Sequence, residues 1–346
     1  MRNEARIARK NHMKFNHCKI LIIHKGGRVH TWCDDLLAGF REIGCDAHVL
    51  ALRDRSLTER VQQWQGGGRL WENKATVQRC TSVIADFKPE LIVLLNSAGL
   101  PKSADQMLRK AAGSDVPIVG WLADHIAQLP ASAQPNLNGV MAFDSATLEV
   151  LESAYQNTGA RLDFLPLAVN PSRYPDSGKP WEAREEGMAF VGNNTASRRA
   201  LIRQYREAGG IISAFGPGAE TGYRFWLRRR FKPAEAARIY GSHQGVLNLL
   251  QSPNTVHGLN LRAYEVAASG GLGTYPYTPD LMLSFAPDQE IIAYHDLEDL
   301  ARKTRTLFHE SEQATRIIAA GKKRVLAEHT YAHRAMRLLT DWLPAP

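Results

Sequence analysis

In NLRAYEVAASGGLGTYPYTPD, residues 260–280, an arginine and a glutamate stand three positions apart at the head of an apolar run that stops on two glycines. The preceding VLNLLQSPNTVHGLN reads as a strand over Val246–Leu250, a break at Ser252-Pro253, a polar loop, and a helix from about Asn260. Arg262 and Glu265 then lie just past a strand's carboxyl end, at a helix start. Backbone N–H groups and the helix dipole favour an anion there, such as a diphosphate. Arg262 adds a charge-assisted hydrogen bond. A carboxylate one turn later accepts from both hydroxyls of a vicinal diol, which ribose presents. Gly270-Gly271 stops the helix sharply and lets the next strand approach. The same two residues also fit an exposed pair at i and i+3 on a surface helix. The pattern alone leaves both readings open.

Other residue groups suit the same chemistry. Phe190-Val191-Gly192-Asn193 ends a strand on a glycine that admits a ligand to the backbone, and Arg198 and Arg199 begin the next helix, either beside a phosphate or merely solvated. Phe215-Gly216-Pro217-Gly218 is a second strand-end glycine loop. Gly26-Gly27 follows the first strand-like run, with His24 and His30 beside it. This is not G-x-G-x-x-G, so a nicotinamide cofactor is disfavoured. Asp124 and His125, in VGWLADH, are placed to take a proton from a hydroxyl; a structural aspartate capping a loop is the alternative. The 12 histidines are scattered, with no H-E-x-x-H and no D-x-D, so no catalytic metal is expected.

Positioning these groups takes alternating elements. Strand-like runs at Lys19–Ile23, Ala47–Leu52, Leu91–Leu95, Pro117–Trp121, Val140–Phe143 and Leu162–Leu165 are separated by helix-like runs, among them Thr76–Phe87. After a Pro- and charge-rich stretch the alternation restarts. Strands are expected at Met188–Val191, Ile211–Phe215, Val246–Leu250, Gly273–Tyr275 and Glu290–Tyr294. Helices are expected at Ser197–Glu207, Ala234–Tyr240, Leu261–Ala268 and Leu297–Phe308. Repeated β-then-α argues for parallel sheets covered on both faces. The expected organisation is a basic arm over 1–18, a Rossmann-like domain over 19–170, a linker over 171–187, a second Rossmann-like domain over 188–330, and a C-terminal helix in 331–346 able to pack back on the first domain. In doubly wound sheets ligands sit at the strands' carboxyl ends, and between two such domains the cleft is the default site.

Composition narrows the partners. Of 346 residues, 43 are Lys or Arg and 35 Asp or Glu, giving +8, which suits a polyanion: nucleic acid, an anionic membrane or a phosphorylated small molecule. Tyr223–Lys232 concentrates five cations among aromatics and reads either as a membrane, lipid-diphosphate or nucleic-acid contact, or as a surface helix with Phe225, Trp226 and Phe231 packed inward. The four cysteines form no C-x-x-C pair, so a reducing cytoplasm is expected. No apolar run is long enough to span a bilayer. The first 14 residues lack an apolar signal core and are either a flexible arm or upstream of a start at Met13.

The order NLRAYEVAASGGL, then EIIAYHDLEDL, then AAGKKRVLAEHTYAHR resembles the C-terminal half of GT-B glycosyltransferases, and most closely the branch named after the CgeB and YkvP spore proteins. Weaker similarity at VGWLADH, FLPLAVN and FVGNNTASRR extends it over most of residues 19–340. The resemblance implies two Rossmann-like domains, with a nucleotide-sugar donor held mainly by the second. Many retaining members carry two glutamates separated by seven residues. The second matches Glu265 as the ribose ligand; the first position here is His257, which leaves donor identity and stereochemical outcome open. The expected function is metal-independent sugar transfer from a nucleotide-diphosphate donor to a hydroxyl on a glycan, a lipid-linked sugar or a protein, without a cofactor. Gly192, Asn193, Arg198, His257, Asn260, Arg262, Glu265, Gly270 and Gly271 are the expected donor-side residues. Asp124 and His125 are the catalytic candidates, and Gly26, Gly27 and His30 the acceptor-side loop. A nucleotide-sugar epimerase, a non-catalytic nucleotide-sugar-binding protein and a nucleic-acid-modifying glycosyltransferase are the alternatives. Nucleic acid is not the favoured partner, and peripheral membrane contact stays open.

Overall fold

The computed structural model describes residues 15–25, 30–52, 74–96, 102–127, 137–218, 230–250 and 254–344. The chain divides into two compact units, one of residues 1–166 with 331–346, the other of residues 167–330.

The first unit is a six-stranded sheet in the order β2-β1-β3-β4-β5-β6, with every pair parallel. Its strands are β1 Lys19–His24, β2 Asp46–Ala51, β3 Leu91–Leu95, β4 Ile118–Leu122, β5 Gly139–Ala142 and β6 Arg161–Phe164. β3 and β4 are buried at every position, as a sheet covered on both faces demands. Four helices connect them: α1 His30–Glu42, α2 Lys74–Phe87, α3 Lys102–Ala112 and α4 Ser145–Tyr155. α1 buries Trp32, Cys33, Leu36 and Phe40, the three-and-four spacing of one helical face.

The second unit holds β7 Glu185–Val191, α5 Ala196–Glu207, β8 Ile212–Phe215, α6 Pro233–Ser242, β9 His243–Val246, α7 Leu261–Ala268, β10 Thr274–Pro276, α8 Leu281–Ser284, β11 Ile292–Tyr294, α9 Leu297–Leu307 and α10 Ser311–Glu328. Its strands run β8-β7-β9, and a parallel bridge between Val246 and Gly273 carries the order on to the β10-β11 pair. The strand expected at Val246–Leu250 is therefore displaced. β9 ends at Val246; Leu247 N–H still donates to Ala189 O at 2.8 Å, and Leu247–Leu250 continue as non-strand backbone that stays buried through Leu249. Beyond Leu247, burial rather than strand pairing accounts for the apolar run: Leu249, like Leu247, is in the core.

Residues 171–187, expected as a linker, pack onto the second unit. Trp181 enters its core, Ser177 N–H donates to Ser269 O at 3.0 Å, and Lys179 N–H donates to Gly241 O at 2.9 Å. The C-terminal helix α11 Tyr331–Trp342 belongs to the first unit. There Arg334 donates to Pro166 O at 2.6 Å and Arg337 to Asp163 at 2.8 Å. Among the described residues no helix is long and apolar enough to cross a membrane. Residues 1–14 of the expected N-terminal arm and most of the basic aromatic segment (223–229) lie outside the described residues, while Phe15, at the arm's end, is buried.

The α1–α11 contact rests on Gly39. A Cβ there would lie 2.4 Å from the Tyr331 carbonyl carbon and oxygen. Backbone cannot step aside as a side-chain tip can, so Gly39→Ala should overpack the contact and cost about 1–3 kcal/mol in chemical denaturation. Unchanged stability would mean that the two helices do not meet this closely.

Candidate functional site

At the carboxyl end of β7 the chain turns through Gly192-Asn193-Asn194 into α5. Gly192 N–H donates to Phe215 O at 2.9 Å and Asn194 N–H to Pro217 O at 2.8 Å, joining this loop to the one after β8. The buried Asn194 amide also donates to Gly192 O at 2.9 Å. Gly216 has φ +114°, and a Cβ on it would lie 2.3 Å from Gly192 O, so the joint needs glycine there. Thr195 caps α5 by accepting from Arg198 N–H at 3.4 Å. The Arg198 guanidinium turns back to donate to Asn193 O at 3.1 Å. Asn193 itself is exposed.

The start of α7 faces the same side of the unit. Asn248 and Asn260 exchange two amide hydrogen bonds, each 2.9 Å. Tyr294 donates to Asn248 O at 2.7 Å, Asn260 N–H donates to the Tyr275 hydroxyl at 2.9 Å, and that hydroxyl donates to Gly258 O at 3.1 Å. With its side chain committed to Asn248, Asn260 gives α7 no side-chain cap. The first turn thus keeps the N-terminal dipole uncompensated by its own cap.

Arg262 lies on that first turn. Its guanidinium sits 5.5 Å from the Phe190 ring centroid, and that of Arg198 sits 5.7 Å from the same ring. Arg262 donates to Asn248 at 3.4 Å and hydrogen-bonds the Tyr240 hydroxyl, while its buried Nε has no hydrogen-bond partner. A Cβ at Gly192 would meet the Arg262 Nη2 atom at 3.0 Å, so glycine leaves the guanidinium its place. Burial, and then the charge of Arg262, lower the pKa of Arg198. Two cations sharing one ring repel each other, and a bound anion would relieve that repulsion.

Glu265 follows one turn later on α7, half-buried, and accepts a hydrogen bond from the Tyr174 hydroxyl. His257 is half-buried in the loop before α7, where its carbonyl accepts from Asp280 N–H at 3.3 Å. Gly270 and Gly271 are not brought to Arg262. They end α7, and an eight-residue helix separates its ends by about 12 Å. Gly270 has φ +73° and caps the helix, and its carbonyl accepts from Arg184 at 2.8 Å. Their place is structural.

The first unit carries a separate polar group at its strand ends. Asp124 follows β4 and is exposed. Asn96, the residue after β3, has φ +52°, an uncommon conformation outside glycine. It accepts from Ala123 N–H at 2.9 Å and donates to Asp124 at 3.4 Å. Desolvation raises the Asp124 pKa, against the opposing effects of Lys25 and Asn96. His125 Nδ1 lies 3.0 Å from the Thr147 hydroxyl, which holds the ring against α4. Gly26 and Gly27 lie outside the described residues; of His30 only the backbone, opening α1, is described. Among the described residues no three His, Cys, Asp or Glu side chains gather closely enough to hold a metal ion.

Sequence reasoning missed Phe190 as the shared ring, Asn248 as the partner of Asn260, and the Tyr174, Tyr240 and Asn96 contacts. Only Asn96 left a local signal: a polar residue directly ending the apolar run LIVLL.

Residues 197–340 match the family model described as glycosyl transferase-like. No curated protein sequence matches the chain. Among solved structures, a glycosyltransferase from Rickettsia africae ESF-5 is similar with TM-score 0.66 at 11% identity, over 95% of this chain and 98% of that one. HepE of Anabaena, solved with UDP-glucose, is similar with TM-score 0.62 at 13% identity, over 94% of this chain and 100% of that one. Sucrose-phosphate synthase from Thermosynechococcus elongatus gives TM-score 0.59 at 12% identity, over 94% and 98%. At such identities the likeness establishes the fold, which is GT-B. The matched family model covers residues 197–340, most of the second unit.

The paired guanidiniums make a direct prediction. Inorganic pyrophosphate should raise the melting temperature, because a ligand at a hundredfold its dissociation constant stabilises by about 2.7 kcal/mol. Arg262→Gln should abolish the shift. An undiminished shift in that variant would place the anion elsewhere.

Proposed function

We propose that the chain transfers a sugar from a nucleotide-diphosphate donor to an acceptor hydroxyl. The observation that carries this reading is the cluster on the second unit: Arg198 and Arg262 share the Phe190 ring beside the start of α7, and Glu265 stands one turn along the same helix. The spacing matches a nucleotide diphosphate, whose phosphates want cations and helix N–H groups and whose ribose wants a carboxylate. Negative charge builds on the leaving diphosphate as the glycosidic bond breaks. Prepositioned guanidiniums stabilise that charge without reorganising. Those cations also do the work a metal would do, so the proposed transfer is metal-independent.

HepE was solved with UDP-glucose, which makes UDP-sugars the first donors to try. The resemblance of NLRAYEVAASGGL and the segments after it favours the CgeB and YkvP branch of GT-B glycosyltransferases. On the first unit, Asp124 is the proposed base for the acceptor hydroxyl. Its raised pKa brings it nearer the proton affinity such a base needs. The acceptor is a hydroxyl on a glycan, a lipid-linked sugar or a protein. The thiols of Cys33, Cys45 and Cys80 are free and buried, which suits a reducing cytoplasm.

Three measurements test the reading. With a panel of UDP- and GDP-sugars, nucleotide release should continue in EDTA; loss of turnover restored by manganese would overturn the metal-independent route. Glu265→Ala should weaken UDP or GDP binding by about tenfold or more, the equivalent of roughly 1.5–3 kcal/mol for a charge-assisted bond. Equal affinity in calorimetry would remove Glu265 from the site. Asp124 accepts a proton only when ionised, so the rate should fall as pH drops through its raised pKa, and Asp124→Asn should flatten that limb. A retained limb would assign the base elsewhere.

A further inference from the structure

The stretch just after the boundary between the units supplies a side chain to the donor-side helix. Tyr174 N–H donates to Asn170 O at 3.2 Å, closing a turn. Its ring packs against the core cluster of Val191, Ala236, Tyr240, Val246 and Val266. Its hydroxyl reaches the Glu265 carboxylate. Asp176, two residues on, pairs with Lys322, and Ser177 N–H bonds Ser269 O at 3.0 Å. The turn is therefore anchored on both sides of the ring. Tyr240, deeper in the same cluster, holds Arg262 in the matching way.

We infer that Tyr174 is a positioning residue for nucleotide recognition: its hydroxyl occupies one lone pair of the Glu265 carboxylate, fixing the rotamer that presents the remaining lone pairs to the two ribose hydroxyls. The inference rests on the reading of Glu265 as the ribose ligand. A glutamate on a helix has three rotatable bonds, and free rotation would cost entropy at each binding event. One hydrogen bond from a ring packed against the core reduces that cost before the nucleotide arrives. Burial, and then the Glu265 charge, hold the Tyr174 phenol's pKa far above its ordinary value, so it stays a donor throughout the physiological range. A phenol that accepted a proton or ionised could not play this part.

The test is a cycle of two proteins and two ligands. Wild type and Tyr174→Phe are titrated calorimetrically with UDP and with 2′,3′-dideoxy-UDP, or with GDP and its dideoxy form if guanosine is the base bound. Wild type should prefer the ribose form. Tyr174→Phe should lose about tenfold in affinity for the ribose form and keep wild-type affinity for the dideoxy form. Equal losses for both ligands would mean a structural role only, and no loss for either would mean no role; both overturn the inference. In a Glu265→Ala background, Tyr174→Phe should have no further effect, and a further loss there also counts against it. Should wild type itself not distinguish the two ligands, the ribose reading of Glu265 fails and this inference falls with it. Tyr240→Phe is the control: it should weaken UDP without altering the preference for ribose over dideoxyribose.

Discussion

Two guanidiniums against one phenylalanine ring is the constraint around which the second unit is organised. Arg198 and Arg262 come from different helices, and Phe190 comes from the strand between them in the sheet. Like charges are brought this close only at a cost, and burial first, then the Arg262 charge, lower the pKa of Arg198. Such strain persists where the surrounding structure overdetermines it, and where a ligand of opposite charge recovers it. The neighbouring loops satisfy the first condition. Gly216 admits a backbone that any side chain would push away, Gly192 leaves room for the Arg262 guanidinium, and the Asn194 amide, donating to Phe215 O and Pro217 O at 3.4 Å, ties the two loops together.

The helix carrying Arg262 and Glu265 is held at both ends by polar contacts. At its start, the Asn248–Asn260 amide pair takes the side chain that would otherwise cap it, and two buried tyrosines, Tyr275 and Tyr294, fix the backbone on either side. At its end, Gly270 turns in the left-handed region and Arg184 binds its carbonyl. A buried amide pair is worth little as net stability, but leaving one partner alone is costly. The arrangement therefore specifies one position for the helix more than it strengthens the fold.

Much of the fold was legible because buried parallel strands are nearly continuous apolar runs, as ILII and LIVLL show. The same rule misplaced β9: VLNLL is just as apolar, but β9 stops at Val246 and the rest is buried past its end. Helix α10 escaped notice because its buried positions are Ala314, Ile317, Gly321 and Val325, small residues that make a faint stripe. Gly321 is small for a reason, since a Cβ there would lie 2.2 Å from Glu290 O. In the site, Arg262, Glu265, Gly192 and Arg198 announced themselves by type and by position at strand ends. Their partners did not. Phe190 reads as an ordinary core residue, and Tyr174 and Tyr240 lie 91 and 25 positions before Glu265. Local pattern carries no information on such contacts. Gly270-Gly271 was legible as a helix stop, and that is the use the structure makes of it.

The Pro-rich stretch at 171–187 shows why composition misled there. Prolines, glycine and charges are what a solvated connection requires, and they are equally what an irregular segment pinned to a surface requires. The difference lies in where its backbone hydrogen bonds go. Ser177 and Lys179 spend theirs on Ser269 and Gly241, Arg184 reaches both His243 O and Gly270 O, and Trp181 fills the core. The hydrogen bonds end on α6, on the start of the strand that follows it and just past α7, while Trp181 packs against Phe308 and the core that α9 and α10 share. A segment placed there can set the position of the donor-side helix only if it does not move with solvent, and the buried tryptophan ensures that it does not. The charges that suggested a free linker are the groups that fasten it: Asp176 to Lys322 and Arg184 to the end of α7.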